Sequence, residues 1–307
     1  MISESRIFQH LHNLGELLSI SAASASIKSL EIEENNGLFP IRPQLHVIIR
    51  AGSGELKSSA LNMVKEVYPE SKSIQTMSTA GLVGSIDSRE HRFVAGLAWL
   101  ARDNIMVLDE FTFTRKSDWI PWLQLLENQE YSKKTGQYVT EEEQRDGDLY
   151  FSVKNGYMNM KTRFVAIIAT MRRFEHQRGE DFKALLTRCV PYDYKLTLEE
   201  IDYLLDGNCI IDVEKYRPEE EIVIPTSEYL AIKEFVRNKL AVTTASTRAI
   251  FARAVNDCIR IHAVQGNADE ELLKNVISWK LEAIQKVGAD FRKSYIEKAR
   301  EEFRLLA

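Results

Sequence analysis

The spacing of the apolar residues divides the chain into an alternating α/β part and a helical part. Short apolar runs of the kind found in buried strands occur at 45–50, 105–108 and 164–169, and a further strand is predicted at 73–77. Apolar residues three or four positions apart, which indicate helices, lie between these runs at 60–67, 94–101 and 119–130. Strands that alternate with helices are typical of a parallel sheet flanked by helices, so an α/β fold is predicted.

Helical spacing also occurs towards both ends of the chain. Two short helices are predicted at 4–19 and 23–31, before a turn-rich stretch interrupts the pattern. Three longer helices are predicted at 227–240, 247–264 and 270–306. We therefore expect three parts, namely a helical segment at 1–40, an α/β core at 41–222 and a small all-α lid domain at 223–307.

The segment between the third and fourth predicted core strands has a pattern of its own. Residues 133–148 are polar and highly charged without an apolar face, which predicts a loop or an insertion. Residues 149–161 alternate around Asn155-Gly156, a pair that favours the tight turn of a two-residue β-hairpin. A Gly-containing hairpin region is also predicted after the strand at 73–77.

Composition and charge limit the classes of protein to which the chain can belong. It has 307 residues, of which 44% are hydrophobic, and this is enough for a large buried core and a smaller second domain. Its 40 Lys and Arg against 45 Asp and Glu exclude the uniformly basic surface of a histone-like protein. Any binding of nucleic acid must therefore depend on a local patch.

The cysteines and the apolar runs bear on the compartment. Cys189, Cys209 and Cys258 lie far apart and form no metal-binding or redox motif, which indicates a reducing environment. The first residues lack the charged-then-apolar layout of a signal peptide. No stretch approaches the roughly 20 apolar residues of a membrane span. We expect a cytoplasmic protein with no membrane partner.

A loop of small residues, AGSGELKSS at 51–59, joins the first core strand to the first core helix. Gly52, Ser53 and Gly54 can direct backbone N–H groups at phosphate oxygens, and the start of the helix adds its positive end. Lys57 would then reach the β- and γ-phosphates of a nucleotide, and the Ser58 hydroxyl would bind Mg²⁺. These roles predict a P-loop for ATP.

The loop departs from the strict P-loop pattern at several positions. Ala51 and Leu56 stand at both glycine positions of G-x-x-x-x-G-K-S, and Glu55 places a carboxylate where it would repel phosphate unless it turns away. Leu56 and Ser59 complete the predicted binding loop through their backbone. A structural turn before a helix is the alternative for this segment.

Two adjacent carboxylates, Asp109 and Glu110, follow the apolar run at 105–108. The carboxyl edge of a parallel sheet is where ligands bind in α/β proteins. Asp109 can take part in the coordination shell of Mg²⁺, while Glu110 orients and deprotonates the attacking water. The alternative is that the two carboxylates are simply a solvated strand end. This interpretation is the weaker one, because the predicted phosphate loop occurs in the same chain.

The core resembles the AAA+ core of minichromosome maintenance (MCM) replicative helicases. Besides the loop, the similar segments are STAGLVGSI at 78–86, FVAGLAWLARDNIMVLDEF at 93–111 and WLQLLENQEYS at 122–132. The resemblance covers about residues 45–265, and that family also has a residue other than glycine before the loop lysine. Residues 1–44 leave no room for a counterpart of the family's DNA-encircling N-terminal domain. We therefore expect a stand-alone core or a distant relative of mobile-element type.

The resemblance implies roles for three further residues. ALLTR at 184–188 is similar to the segment with the arginine finger, which implies that Arg188 acts in a neighbouring subunit's site. STRAIFARAV at 246–255 is similar to the sensor 2 segment, with Arg248 as its arginine. Thr170 stands where the family has its sensor 1 asparagine, and its hydroxyl can still bind water or phosphate.

The resemblance also implies contacts with DNA. Lys154, next to Asn155 at the hairpin tip, resembles the lysine with which these helicases bind DNA in the channel of a ring. Arg89 and Arg92 lie near the tip of a hairpin at 84–96 that resembles a shortened helix-2 insert. Six copies would repeat these cations around a strand, so an acidic protein could bind DNA. An exposed lysine without a function is the alternative for Lys154.

These observations leave two functions in competition. The first is an ATP- and Mg²⁺-dependent DNA helicase or translocase in replication, a homo-oligomer in a hexameric ring on single-stranded or forked DNA. The second is a switch, an initiator or loader that binds ATP to assemble on DNA or a partner and hydrolyses it slowly. Departures within the loop and at Thr170 favour the switch, whereas Lys57, the acidic pair and Arg188 favour the motor. A nucleotide-free scaffold would be expected to lose the lysine or the acids first, so we expect the motor.

Overall fold

The structure is a computed structural model. It describes residues 4–34, 37–52, 54–74, 78–87, 89–109, 119–135, 141–171, 180–203, 211–240, 245–266 and 269–287. No helix within these ranges combines the length and the apolar character needed to cross a membrane.

Strands and helices alternate along most of the described chain. The strands are β1 (Ser29–Glu34), β2 (Gly37–Ile41), β3 (His46–Arg50), β4 (Lys72–Ile74), β5 (Gly84–Asp87), β6 (Arg92–Ala95), β7 (Asn104–Leu108), β8 (Glu130–Lys134), β9 (Glu142–Asp146), β10 (Leu149–Lys154), β11 (Tyr157–Lys161), β12 (Phe164–Thr170), β13 (Cys189–Asp193) and β14 (Glu221–Ile224). The helices are α1 (Glu4–Ala23), α2 (Lys57–Val67), α3 (Thr79–Val83), α4 (Leu97–Leu100), α5 (Trp119–Asn128), α6 (Glu180–Arg188), α7 (Leu198–Tyr203), α8 (Thr226–Lys239), α9 (Ala245–Gln265) and α10 (Glu270–Lys286).

Five strands form the central sheet, in the order β13-β3-β12-β7-β4, and all neighbouring pairs are parallel. Val47 in the inner strand β3 pairs with Ile167 of β12 on one side and Val190 of β13 on the other. The predicted α/β fold with a parallel sheet flanked by helices is confirmed. The strands predicted at 45–50, 105–108 and 164–169 correspond to β3, β7 and β12.

Both faces of β3, β7 and β12 are buried, which explains why these strands are continuous apolar runs in the sequence. One face packs against α1 and α2 through residues such as Val47, Ile49, Val107 and Ile167, and α8 and α9 extend the same hydrophobic core. The other face packs against α3 to α6 and a second sheet through residues such as Ile48, Met106, Leu108 and Ile168. Helices α8, α9 and α10 confirm the helical predictions at 227–240, 247–264 and 270–286, whereas the rest of the last predicted helix, 288–306, lies outside the described residues.

The segment before the central sheet differs from the prediction. Instead of a helix at 23–31, α1 continues to Ala23, a short 3-10 helix covers Ser24–Ser26, and β1 follows. In β1, buried Leu30 and Ile32 alternate with glutamates, which is the period of a strand. β1 pairs with β2 and with β14, so a small sheet joins residues on both sides of the boundary predicted at 222.

A second, antiparallel sheet has the order β8-β11-β10-β9. Its central hairpin confirms the predicted turn, because Asn155 and Gly156 both have positive φ angles, 52° and 73°. The prediction of a loop at 133–148 is wrong at both ends, where β8 and β9 form the edges of this sheet. β9 contains no apolar residue, so its hydrophobic pattern could not reveal a strand.

A smaller hairpin, β5 paired with β6, confirms the predicted hairpin region. The helix predicted at 94–101 is shorter than expected, because β6 continues to Ala95 and α4 begins at Leu97. Phe93 of this hairpin stacks on Phe151 of the second sheet, with ring centroids 4.2 Å apart. The two hairpins therefore form one packed unit above the central sheet.

Candidate functional site

The strand order places a crevice at one edge of the central sheet. After β3 the chain continues to β4, which is the strand at one edge of the sheet. After β12, the neighbour of β3, the chain continues to β13, which is the strand at the other edge. Loops that leave adjacent parallel strands in opposite directions open a crevice at their carboxyl ends, where α/β proteins bind ligands. The segment at 51–56 follows β3 directly at this point.

A pocket of about 210 Å³ lies at this edge of the sheet. Its walls are formed by Gly54, Leu56, Lys57, Ser58, Ser59, Asp109 and Met171. The predicted phosphate loop and the predicted acidic pair thus contribute to one pocket, although they are separate in the sequence. Ser53 lies outside the described residues.

The loop turns into α2 through two residues with left-handed backbone conformations. Gly54 has a φ of 76° and Leu56, the residue before the helix, has a φ of 63°. No side chain caps the start of α2, and its first turn contains no acidic residue. The first backbone N–H groups of a helix have no partner within the helix, so this end is suited to an anion.

Lys57 lies inside the curve of the loop. Its Nζ donates hydrogen bonds to the carbonyl oxygens of Ala51, at 2.9 Å, and of Gly52. The side chain is only 6% exposed, yet it forms part of the pocket wall. The ammonium group is therefore held beside the pocket by backbone oxygens, the position from which a lysine can neutralise a bound phosphate.

Glu55 turns its side chain inwards, towards the loop itself. Its carboxylate accepts a hydrogen bond from the Gly52 N–H, and the residue is 7% exposed. A Cβ on Gly52 would lie 2.9 Å from this carboxyl group, so glycine is required for the contact. Tyr194 donates its hydroxyl to the Glu55 carbonyl oxygen. The carboxylate thus occupies one of the N–H donors expected to bind phosphate.

Ser58 and Asp109 approach each other across the mouth of the pocket. The Ser58 hydroxyl donates to Asp109 Oδ2 at 3.1 Å. A hydroxyl and a carboxylate oxygen are ligands that suit Mg²⁺, which is commonly bound by one or two carboxylates together with phosphates and water. No cluster of three or more His, Cys, Asp or Glu that could hold a metal occurs among the described residues. The pair therefore fits a metal shared with a phosphate rather than an all-protein metal site.

Three further residues, Thr170, Glu110 and Arg248, were predicted to act on the nucleotide at this edge of the sheet. Thr170 is buried at the end of β12, and its carbonyl oxygen accepts a hydrogen bond from the Ala51 N–H at 3.4 Å. It therefore lies directly beside the predicted phosphate loop. Glu110 lies outside the described residues. Arg248 belongs to α9, but its side chain is not among those described.

Arg188 lies at the opposite edge of the sheet. The residue after it, Cys189, pairs with His46 at the beginning of β3, whereas the loop follows the end of that strand. A strand of this length spans about 16 Å, which is beyond the reach of an arginine side chain. Arg188 of one chain therefore cannot act in that chain's own pocket.

An ion pair holds Arg188 in its position. Its Nε lies 2.8 Å from Glu127, which also pairs with Arg253 at 2.5 Å, and its Nη1 donates to the Ala184 carbonyl oxygen. Burial lowers the pKa of Arg188. Burial alone would raise the pKa of Glu127, but hydrogen bonding to Arg253 and the charges of the surrounding arginines bring it below its usual range. Both partners therefore remain charged at neutral pH.

The residues predicted to bind DNA lie on the two hairpins and do not line the pocket. Lys154 is exposed at the end of β10, and the adjacent Asn155 N–H donates to Glu141 at 3.2 Å. Arg89 and Arg92 are exposed, and Arg92 pairs with Glu90 at 2.5 Å. The hairpins thus present cations to solvent, with a carboxylate beside each tip.

Sequence reasoning missed two residues of the site, Tyr194 and Met171. Tyr194 is an ordinary buried tyrosine in the sequence, and only its position after β13 brings it under the loop. No protein-family model matches the chain, and a search of the curated proteins finds no match. The function must therefore be argued from the residues of the site.

Proposed function

We propose that the chain is an ATP-hydrolysing P-loop motor that acts on DNA and completes its active site between copies. The observation that carries this proposal is the Ser58–Asp109 hydrogen bond at 3.1 Å, beside an uncapped helix N-terminus and Lys57. A hydroxyl, a carboxylate, an ammonium group and the N–H donors of a helix N-terminus are together what a Mg²⁺-bound triphosphate requires. A purely structural turn requires none of them.

In this proposal each described residue of the pocket has one task. The N-terminal N–H groups of α2 and the Lys57 ammonium bind phosphate oxygens, while Ser58 and Asp109 would hold Mg²⁺. The metal would neutralise the charge of the phosphates and fix their orientation. The pocket of about 210 Å³ is smaller than the roughly 300–1,000 Å³ of a site that encloses a whole ligand. The described walls therefore correspond to the phosphate end of the nucleotide.

Two further residues would act on the water and the phosphate. Glu110 follows Asp109 and would orient and deprotonate the attacking water, as a carboxylate at the edge of the sheet can. Thr170 ends the strand next to the loop, where its hydroxyl would hydrogen-bond the same water or the γ-phosphate. Arg248 would contact the nucleotide from α9.

The position of Arg188 supports a site shared between copies. It lies at the amino end of the sheet, about 16 Å from the loop of its own chain. If Arg188 neutralises charge on the transferred phosphate, it must do so in the pocket of a second copy. Such an arginine contributes roughly 10³- to 10⁵-fold to the rate. A head-to-tail arrangement of this kind closes into a ring, for which we propose six copies.

The exposed hairpins support DNA as the partner. Lys154 lies at the tip of a tight turn and forms no ion pair within the described chain. In a ring the same lysine would recur once per copy around a central strand. This repetition would let a chain with a net charge of −5 bind DNA through a few residues.

Glu55 favours the second candidate function, an ATP-dependent switch that assembles on DNA or a partner. Its carboxylate holds the Gly52 N–H and would have to leave when phosphate arrives. A loop that must rearrange before it binds nucleotide suits slow turnover. The switch differs from the motor in rate and in its response to DNA.

Measuring ATP turnover with and without single-stranded DNA tests the proposal. We expect turnover that depends on Mg²⁺, is lost in Lys57→Ala and is stimulated by DNA. Lys154→Ala should keep the turnover measured without DNA but lose the stimulation. Slow turnover that DNA leaves unchanged would favour the switch. An unaltered rate in Lys57→Ala would exclude both.

A further inference from the structure

The second sheet has one apolar face and one polar face. Tyr131, Phe151, Val153, Met158 and Met160 are buried against the α/β core. Since side chains alternate along a strand, the residues between them point to the opposite side. The register across the four strands therefore defines which side chains stand next to one another on the outer face.

The outer face is organised in three rows that run across the strands. At the hairpin end, Tyr157 of β11 is flanked by Lys134 of β8 and Lys154 of β10. At the far end, Tyr150 of β10 is flanked by Lys161 and Arg145. The middle row is uncharged on three strands, with Ser132, Asn159 and Ser152. Each tyrosine thus stands between two cations.

The hairpin-end row is the more accessible of the two cationic rows. Tyr157 is 46% exposed, which is high for a tyrosine in an inner strand of a sheet. Within the described residues, neither Lys134 nor Lys154 has a carboxylate within ion-pair distance. In the far row, Lys161 pairs with Asp148 at 3.2 Å and Arg145 pairs with Glu143.

The outer face also contains carboxylates, but fewer than cations. Glu130 and Glu143 are the acidic members of the rows, against Lys134, Lys154, Lys161 and Arg145. Glu141 lies beside the hairpin tip, where it accepts the Asn155 N–H. The row of Tyr157, which has two cations and no acidic member, is therefore the locally basic part of this face on a chain whose net charge is −5.

We propose that this outer face binds single-stranded nucleic acid, with Tyr157 and Tyr150 stacking on bases and the flanking cations binding phosphates. Stacking needs unpaired bases, because a flat sheet cannot reach the faces of bases inside a duplex. The two rows are four residues apart along β10, about 13 Å, so the tyrosines contact different nucleotides. Ser132, Asn159 and Ser152 supply hydrogen-bonding groups between them.

This inference rests on the proposed function only for the identity of the strand as DNA. It goes beyond a contact of Lys154 alone, because it makes a whole sheet face the binding surface. An acidic peptide would satisfy the lysines but would leave the tyrosines without a role. The position of an aromatic ring between cations in both outer rows is what favours a polynucleotide.

Titrating the full chain with fluorescent oligo(dT), oligo(U) and a duplex of the same length, at several salt concentrations, tests the inference. We expect Tyr157→Leu to weaken binding of single strands by about 5- to 150-fold, the range for losing one stacked base. Tyr157→Phe should bind within about twofold of the wild type, because the ring is retained. Tyr150→Leu should weaken binding in the same direction.

The cations and the rings should differ in their salt dependence. Lys134→Ala should reduce the log–log salt slope of single-strand binding by about 0.7, since one phosphate contact is lost. Tyr157→Leu should leave that slope unchanged. Tyr229→Leu and Lys72→Ala are matched controls, because Tyr229 stands 5.2 Å from a lysine on α8 and Lys72 is exposed in an edge strand. Both controls should bind like the wild type.

The outcomes separate this inference from the proposed function. The inference is overturned if Tyr157→Leu and Lys134→Ala bind oligo(dT) and oligo(U) like the wild type, or if Tyr229→Leu weakens binding equally. It is equally overturned if the wild type binds the duplex as tightly as single strands. If the variants lose binding but the wild type hydrolyses no ATP, the inference stands and the motor does not. If DNA stimulates hydrolysis equally in wild type and variants, the motor stands and the sheet face does not bind the strand.

Discussion

The Ser58 hydroxyl donates a hydrogen bond to Asp109 Oδ2 at 3.1 Å, although the two residues are 51 positions apart. Ser58 follows β3 and Asp109 follows β7, and β12 lies between these strands in the sheet. The contact therefore spans the carboxyl ends of three parallel strands. It brings the loop predicted to bind phosphate and an acidic strand end into one pocket.

This pair predicts how nucleotide binding depends on metal. Asp109→Asn keeps a group that can accept from Ser58 but loses the charge that attracts Mg²⁺, so the Mg²⁺ needed for half-maximal turnover should rise by at least about tenfold. Binding of ATP in the absence of Mg²⁺ should change little or become tighter. Turnover and calorimetric titrations across a Mg²⁺ series measure both effects. An unchanged Mg²⁺ requirement would remove Asp109 from the metal site.

Lys57 and Glu110 should fail in different ways. Lys57→Ala removes the cation beside the loop and should abolish ATP binding, because the phosphate charge is no longer neutralised. Glu110→Gln should keep ATP affinity and reduce turnover by about 100-fold or more, because only activation of water is lost. Equilibrium binding of a fluorescent ATP analogue, set beside turnover, separates the two. Equal affinity in wild type and Lys57→Ala would contradict the phosphate-binding role.

Glu55 should limit nucleotide affinity. Glu55→Gln can still accept the Gly52 N–H through its amide oxygen but no longer repels phosphate, so ATP affinity should rise roughly tenfold. The gain should be larger at low ionic strength, because screening weakens the repulsion in the wild type. Asp212→Asn, an exposed carboxylate outside the pocket lining, is a matched control for the loss of one negative charge. Weaker ATP binding in Glu55→Gln would show that the carboxylate supports the loop instead.

Arg188 should act in a neighbouring copy. Arg188→Ala and Lys57→Ala should each lose most ATP turnover, but a mixture should form some sites that contain both intact residues. We expect the mixture to exceed the average of the two separate variants by several-fold. Glu127 keeps its partner Arg253 in the arginine variant, which limits the cost to folding. A mixture that is no more active than its components would disprove the assignment.

His46 should make folding stability depend on pH. Burial, reinforced by the charges of Arg42 and Arg260, holds its pKa well below the ordinary value of 6.5, and its Nδ1 accepts the Ala166 N–H at 3.0 Å. The unfolded chain therefore binds a proton that the folded chain does not. The stability that this pKa difference contributes is fully present above pH 6.5 and is lost as the pH falls towards the lower pKa of the folded chain.

His46→Gln keeps an acceptor for that N–H and removes the titration. The difference in unfolding free energy between wild type and variant should therefore change between pH 7 and pH 5, in favour of the variant at the lower pH. Urea unfolding at both pH values measures it. A difference that does not vary with pH would mean that the pKa of His46 is the same in the folded and the unfolded chain.

Local signals in the sequence were sufficient for the elements around the pocket. A buried strand leaves a continuous apolar run, a helix leaves a three-to-four spacing, and Asn155-Gly156 favours a tight turn, because each depends on neighbouring residues only. The loop and the acidic pair were likewise visible as short motifs. β1 and β14 were not predicted, because each is stabilised by the other, and Ser29 pairs with Glu221 from the far side of the chain. β9 was missed because it is polar throughout and depends on its neighbour β10.

By itself the sequence determined the alternation of strands and helices, the residue types of the loop at 51–59 and the order of the motifs along the chain. Only the tertiary structure decided that Ser58 meets Asp109, that Arg188 lies at the opposite edge of the sheet and that Glu55 turns towards Gly52. The reason is physical. Local propensities act over a few residues, whereas strand order and side-chain pairing are selected by burial and hydrogen bonding between segments far apart in the chain.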